Sequence, residues 1–390
     1  MSKERSHLIV GIDIGSNTTK MCATLHYENP DIYPKILDIV EVESQGIYKG
    51  NIIEEKELID TIYKCIKGFK EEIFSRKTHS VLSLNTSGIS SIINNGSILN
   101  SSITNEITKL DIDRLEKEAA ISVASIKNKR IIHTIPIRYK VDNNEVLNTP
   151  IGMIGKRIEG KFLFVFSPSS YVEKLENALS HIKINIEDIV VGPFAESIVL
   201  LNKKQRVSGT ALINIGHSTT SIIVYENNSP ILTSILGIGS NDITNDIALG
   251  LQVSLEEAEN IKIGKSDMSF SKRKLEEIVE ARIEFICEKI NLELDKINRR
   301  ELLPGGVILT GNGSKLTRID NMFKNYLKLP IKFANQEIRE FSNEQLIDSS
   351  FARVFGLTFL APIVSPDYSI KSFFKNIFKN IASFFKKILP

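Results

Sequence analysis

Two widely separated stretches share one scheme, and that repetition limits the fold more than any other feature. Residues 7–27 read HLIVGIDIGSNTTKMCATLHY, and residues 210–227 read TALINIGHSTTSIIVYEN. Each has an apolar run, a turn of Gly, Ser and Thr, and a second apolar run. Such runs bounded by turn residues predict strands. One copy in each half is a repeat at domain scale, not a short-period solenoid. A chain of 390 residues has room for two such domains with ample core. The predicted fold class is therefore α/β, with two related halves.

The intervening pattern fills in the organisation. Residues 54–75 predict a helix with Ile59, Ile62, Tyr63, Ile66, Phe69 and Ile73 on one side. From about residue 80 to 159 the character changes to short β-like runs, Asn-rich turns and a helix at 112–126, as expected of an inserted α+β unit. KFLFVFS (161–167) predicts a buried strand, and 170–181 a helix. In the second half, 241–250 and 274–298 predict helices, and 306–309 a last strand. The expected domains are 7–80 with 161–206 (first lobe), 81–160 (insert), 207–245 with 304–363 (second lobe), and 246–303 (a subdomain of it).

The turns carry the candidate chemistry. In GIDIGSNTTK (11–20), glycine and small hydroxyl residues let backbone N–H groups approach a phosphate closely. Asp13, at the strand end, is suited to a water bound to Mg²⁺, which prefers oxygen ligands and keeps its waters. Lys20 supplies positive charge. NIGHSTT (214–220) takes the same place in the second half. LTGNGSK (309–315) is a strand running into glycine turns. Three such turns, two of them in a repeated frame, are far more specific than one. Neither a P-loop nor a G-x-G-x-x-G after a strand occurs, which disfavours those nucleotide folds.

Charge and cysteine content narrow the classes further. Of 49 basic residues, five lie in the last twenty, which hold no acid; residues 1–370 then carry 44 basic against 47 acidic side chains, a net of −3. The body is no nucleic-acid binder by charge. Three widely spaced cysteines suit a reducing compartment rather than a disulfide frame or zinc site. No signal peptide and no run of eighteen apolar residues is visible.

The end, SIKSFFKNIFKNIASFFKKILP (369–390), is unlike the rest. Ile370, Phe373, Phe374, Ile377, Phe378, Ile381, Phe384, Phe385 and Ile388 form a helical stripe. Lys371, Lys375, Lys379, Lys386 and Lys387 lie on the opposite face. Lysines at every turn disfavour a spanning helix, since each costs about 2.5 kcal/mol or more at mid-bilayer. A helix lying in the interface of an anionic membrane fits better, with a partner groove as the alternative. Residues 364–369 read as a linker.

The three turns, in this order, resemble the phosphate-one, phosphate-two and adenosine motifs of the actin-like ATPase superfamily. Further stretches resemble one branch of it, the FtsA family of bacterial cell-division proteins: SQGIYKGNIIEEKELIDTI (44–62), HTIPIRYKVDNNEVLNTPIGMIGKRIEG (133–160), NDITNDIALGLQVSLEEAENIKIGKSD (241–267) and the basic amphipathic end. The resemblance covers nearly the whole chain. It implies an actin-like, two-lobed fold with ribonuclease-H-like halves and ATP with Mg²⁺ in the cleft between them. Asp13, Gly15, Ser16, Asn17, Thr18 and Lys20 would face the phosphates and, at Asp13, the metal. Asn214, Gly216 and Thr219 would close from the other side, with Gly311, Gly313 and Ser314 by the adenosine and Glu259 and Lys262 flanking the ribose and adenine.

It also implies a polymerising adaptor that tethers the tubulin-like protein FtsZ, through about 246–303, to the inner face of the bacterial inner membrane at the septum. The insert would face other division proteins. The phosphate-two motif usually opens with Asp; Asn214 removes that charge, and His217 and Ser218 stand where glycines are common. ATP binding with slow or absent hydrolysis is therefore expected. The alternatives within the fold are a sugar or acid kinase, a polyphosphate-type phosphatase, or a pilus-assembly actin homologue.

Overall fold

The structure, a computed structural model, describes residues 6–27, 32–70, 73, 78–124, 126–146, 149–182, 184, 186–266, 270–335, 337–338 and 347–361. The expected linker 364–369 and helix 370–390 lie outside the described residues.

The first repeat forms β1 (Ser6–Ile14), β2 (Thr18–Tyr27) and β3 (Lys35–Glu43), an antiparallel meander. After the short β4 (Ile47–Tyr48) and β5 (Asn51–Ile52) comes α1 (Glu55–Gly68). β6 (Thr78–Leu84) then pairs parallel to β1. The insert follows as β7 (Ser90–Leu99), α2 (Lys109–Ala124), β8 (Lys129–Val141), β9 (Asn144–Val146) and β10 (Arg157–Pro168). The chain returns through α3 (Ser169–Ser180) and β11 (Ile186–Val191), which completes the first sheet in the order β11-β6-β1-β2-β3. Then come α4 (Gly192–Leu200), α5 (Lys203–Ser208), β12 (Thr210–Ile215), β13 (Thr220–Glu226) and β14 (Ser229–Leu236). Three helices, α6 (Ser240–Leu251), α7 (Leu255–Lys262) and α8 (Lys272–Asp295), precede β15 (Gly306–Thr310), α9 (Ile319–Leu327), β16 (Ile331–Phe333) and α10 (Ala352–Thr358).

The second sheet runs β14-β13-β12-β15-β16. Each sheet is thus a meander of three strands followed by two strands parallel to the first, so the repeat seen in the turns extends to topology. Strand alternation divides the second sheet between two cores. Leu212, Ile223 and Ile308 face the core shared with the first sheet, while Ala211, Ile213, Val224, Val307 and Leu309 pack with residues of α6, α8 and α9.

Two domain boundaries read from the sequence are corrected. Residues 81–84 belong to β6 in the first sheet, not to the insert. Residues 161–168 belong to the insert sheet, ordered β7-β10-β8-β9, not to the first lobe. Within KFLFVFS, residues 162–166 are all apolar because β10 is covered on both faces. Phe162, Phe164 and Phe166 pack with Ile112, Leu115 and Ala119 of α2, whereas Leu163 and Val165 join the main core. The helix expected to reach residue 75 stops at Gly68, where Phe69 turns extended (φ −75°, ψ 153°) and buries its ring.

The connecting helices α4 and α10 escaped the sequence reading. Both are buried almost throughout, so neither has the one-sided stripe that reveals a surface helix. They cross at backbone contact: a Cβ at Gly356 would lie 2.0 Å from the Ala195 carbonyl oxygen, and one at Gly11 on β1 would lie 2.2 Å from that of Val354.

All three cysteines are buried and free. Among the described residues no helix is long and apolar enough to cross a membrane, and no cluster of metal-ligating side chains forms.

Two buried histidines predict acid sensitivity. His133 Nε2 accepts the Val191 N–H at 3.0 Å, and burial pushes the imidazole down to about 4. His26, against Thr358 and Phe359, is pushed down to about 3 by burial and then by His7. Above the ordinary value of 6.5 both states are neutral. Below it the unfolded chain takes up protons that the folded chain refuses, so stability is lost as pH falls toward those lowered values. The expected loss between pH 7 and pH 5 is about 2 kcal/mol per histidine. Urea unfolding at the two pH values measures it. His133→Gln should remove about half of the histidine-linked drop.

Candidate functional site

The turns after β1 and β12 are closed the same way. Gly15 N–H donates to the Thr18 carbonyl at 3.1 Å, and Gly216 N–H to that of Thr219 at 2.9 Å. Gly311 (φ +85°) brings the third turn onto the second: a Cβ there would lie 2.3 Å from Asn214 Oδ1 and 2.5 Å from the Ile215 carbonyl oxygen. A Cβ on Gly313 would likewise strike Ile215, and Ser314 Oγ closes the turn by donating to the Gly311 carbonyl at 2.7 Å.

The first turn reaches the second through residues 49–51. Ser16 Oγ accepts from Gly50 N–H at 2.9 Å, and Gly50 (φ +73°) approaches Thr219 so closely that a Cβ would sit 3.2 Å from its methyl. Lys49 of this segment reaches across to Asp242 on α6, with Nζ 3.1 Å from Oδ1. Asp242 also caps its own helix by accepting from Gly239 N–H. The first N–H groups of α6 are held by the second turn: Ser240 donates to the Gly216 carbonyl and Asn241 to that of His217.

The floor beneath the turns is a buried polar network. Asp13 Oδ1 accepts from Ser83 Oγ at 2.5 Å and from Asn85 Nδ2 at 2.7 Å. Asn214 Nδ2 donates to Glu196 Oε1 at 2.5 Å. Between the two carboxylates lies Arg353 of α10. Its Nη2 donates to Glu196 Oε2 at 2.9 Å and is 3.4 Å from Ser221 Oγ, and its Nη1 is 3.9 Å from Asp13 Oδ1. Burial opposes the guanidinium charge, but Glu196 and Asp13 more than restore it.

Three polar atoms at this site are buried with no hydrogen-bond partner among the described residues: Asn85 Oδ1, Ser218 Oγ and Arg353 Nε. Unpaired buried groups are costly unless a ligand or water meets them.

On the α6–α7 side, Lys262 Nζ contacts Glu259 Oε2 at 2.6 Å and donates to Thr244 Oγ1 at 2.8 Å; Thr244 in turn donates to Glu259 at 2.7 Å. Burial works against the Glu259 charge, but these hydrogen bonds win and hold its carboxyl below the usual range. Burial and Lys262 push the adjacent His217 down.

The structure therefore brings Asp13, Gly15, Ser16, Asn214, Gly216, Thr219, Gly311, Gly313 and Ser314 into one connected region, with Glu259 and Lys262 beside the second turn. Asn17 is exposed and Thr18 half-buried at the tip of the first turn. Lys20 is committed elsewhere: its Nζ donates to the Ser350 carbonyl at 3.0 Å, is 3.4 Å from Glu41, and lies over the Phe351 ring. Sequence reasoning missed Ser83, Asn85, Glu196 and Arg353. No local motif marks them, because they come from β6, the segment after it, α4 and α10 and meet only in three dimensions.

A resident divalent ion finds a sparse donor set here. Both oxygens of Glu196 and one of Asp13 are taken, and the second Asp13 oxygen accepts no hydrogen bond from a described residue. That set fits an ion that arrives with phosphates and keeps its waters, Asp13 supplying one outer contact.

The duplicated sheets and convergent turns define an actin-like ATPase fold. Solved structures agree: one of a type IV pilus PilM–PilN biogenesis complex aligns with a TM-score of 0.65 at 18% identity, covering 90% of this chain and 98% of that one. MreB5 of Spiroplasma citri, bound to ADP, aligns at 0.51 and 12% identity, covering 90% and 94%. Two family models match, "Cell division protein FtsA" over residues 211–356 and "SHS2 domain inserted in FTSA" over 86–166. The cell division protein FtsA of Borreliella burgdorferi is 29% identical over 376 residues, 90% of each chain. This chain belongs to the FtsA family of cell-division proteins.

Proposed function

We propose that this protein is a nucleotide-gated adaptor of cell division. It binds ATP in the cleft, polymerises head to tail, docks FtsZ on the α6–α8 region (about 246–303), and holds the assembly on anionic lipid of the inner membrane through residues 370–390 at the septum. Carrying the nucleotide reading is the convergence of three phosphate-type turns over a floor with unpaired buried polar atoms. Neighbours of this fold bind nucleotide, as the ADP complex of MreB5 illustrates.

Mg²⁺ bound with the nucleotide would neutralise phosphate charge, with Asp13 holding one of its waters. Hydrolysis is expected to be slow or absent. Glu196 is the carboxylate bonded to Asn214 of the second turn, yet both its oxygens are held, by Asn214 and Arg353, so it is a poor base for a water.

The membrane part rests on the aromatic and wholly cationic pattern of the last 22 residues. One such helix binds weakly, and many along a polymer bind with avidity. Flotation with protein-free anionic vesicles tests it. The full chain should float, and a chain ending at Pro362 or carrying five Lys→Glu changes in the tail should lose at least about tenfold in binding. Flotation of the chain ending at Pro362 at the full-length level would overturn the anchoring role.

A further inference from the structure

The insert is joined to both lobes, and one of those joints starts at the cleft floor. Its chain enters through residues 85–89 and leaves at Pro168. The two crossings lie side by side: a Cβ on Gly88 (φ +91°) would sit 3.2 Å from the Pro168 ring. Adjacent crossings of this kind can act as a hinge. Rotation about it is opposed by a clasp to the outer edge of β14, on the second lobe. Gly88 N–H donates to the Ile235 carbonyl at 3.1 Å, and Ile235 N–H to that of Ile89 at 3.0 Å. The Ser91 hydroxyl takes both backbone groups of Thr233, accepting from the N–H at 2.7 Å and donating to the carbonyl at 2.9 Å. Ile93 of β7 and Ile137 of β8 pack against both main cores. The insert thus caps the edge of the second sheet.

The same segment is tied to the cleft. Asn85 Nδ2 donates to Asp13. Thr86 Oγ1 donates to Asn51 Oδ1 at 2.9 Å, and Asn51 Nδ2 to Ser87 Oγ at 2.8 Å. Asn51 adjoins Gly50, the residue that bridges Ser16 of the first turn and Thr219 of the second, and a Cβ on Gly50 would lie 2.6 Å from the Asn85 carbonyl oxygen. Residues 85–91 therefore touch Asp13, the bridge between the two turns, and the edge of the second lobe. We propose that this segment couples the cleft to the insert. A nucleotide that draws the two turns together fastens the Ser91–Thr233 clasp, and loss of the nucleotide lets the insert swing away from β14. The coupling rests on the ATP reading above. It is reciprocal, so a partner that pulls the insert off β14 lowers the affinity for nucleotide. The face that the insert presents is then set by nucleotide occupancy.

The experiment is a spin-label distance between Ile103→Cys on the insert and Leu249→Cys on α6, both exposed positions, in the full chain, whose three native cysteines are buried. It is read with and without ATP and Mg²⁺, at concentrations where the chain sediments as a monomer. Two populations are expected without nucleotide, and ATP should reduce the longer-distance one at least about fivefold. Ser91→Ala loses both bonds to Thr233, and at saturating ATP it should keep at least about fivefold more of that population than the parent. Ser91→Thr keeps the hydroxyl and should respond as the parent does. A distribution that ATP leaves unchanged, in a chain that calorimetry shows to bind ATP, overturns the coupling. So does a Ser91→Ala response equal to the parent's, or a Ser91→Thr response equal to that of alanine. If the alanine variant does not fold, the responses of the parent and of Ser91→Thr decide. Absence of ATP binding in the calorimeter overturns the nucleotide reading together with the inference.

Discussion

Gly356→Ala is expected to lower the unfolding free energy by about 3 kcal/mol, although alanine is the better helix former by about 1 kcal/mol. The reason is position. α10 crosses α4 with no side chain between the backbones, so the new methyl would fall 2.0 Å from the Ala195 carbonyl oxygen and 2.6 Å from its carbon. Neither atom can turn aside as a flexible side chain would. Relief requires the helices to separate, and both are buried nearly throughout. The same helix lays Val354 against Gly11 of β1 and places Arg353 in the cleft floor, so the shift reaches the site.

Gly152→Ala is the internal control. Its φ of +84° is unfavourable to alanine, but nothing lies within 4 Å, so about 1 kcal/mol is expected. Urea denaturation of both variants checks the ranking. Equal costs would show that the α4–α10 crossing is softer than its geometry implies.

Asn214→Asp should be nearly as damaging, and its cost should depend on pH. The amide donates to Glu196 Oε1 at 2.5 Å; a carboxylate there cannot donate unless it takes a proton. Two carboxylates in contact hold one proton between them, which raises the pair above the ordinary carboxylate range. A raised folded-state value means that the penalty is absent in acid, where both states are protonated. It grows as pH rises past the unfolded value. At pH 7 about 3 kcal/mol is expected, moderated by the partial compensation that Arg353 gives. The difference in unfolding free energy between variant and wild type, measured at pH 7 and pH 5, isolates this term from the histidines common to both. A constant difference, or none, would reject the Asn214–Glu196 contact as the reason for asparagine here.

That residue also marks the limit of what the sequence made legible. Read alone, Asn214 was a motif with its charge missing. In the fold it is a donor required by a buried Glu196, and a neutral group next to a pair already centred on Arg353. The motif supplies the position of Asn214, because turns are local and Gly, Ser and Thr have conformational reasons to be in them. Its partner Glu196 lies on α4, and Arg353, which holds that carboxylate, on α10; both helices are buried almost throughout and so leave no periodic trace. Lys20 gives the converse case. The turn suggested a phosphate ligand, but its strand position sends the ammonium toward Ser350, Glu41 and Phe351. KFLFVFS gives a third. Its apolar run announced a buried strand, but only pairing with β7 and β8 showed which sheet it completes.

What the sequence by itself determined is what depends on neighbours along the chain: two strand–turn–strand repeats, the glycine turns, the α/β class, the separate insert and the basic amphipathic end. Only the tertiary structure decided the domain boundaries at β6 and β10 and the polar floor of the cleft. Both depend on contacts between segments far apart in sequence, such as Asp13 with Arg353 and Glu196 with Arg353, and no local pattern encodes which distant side chain will meet a buried charge.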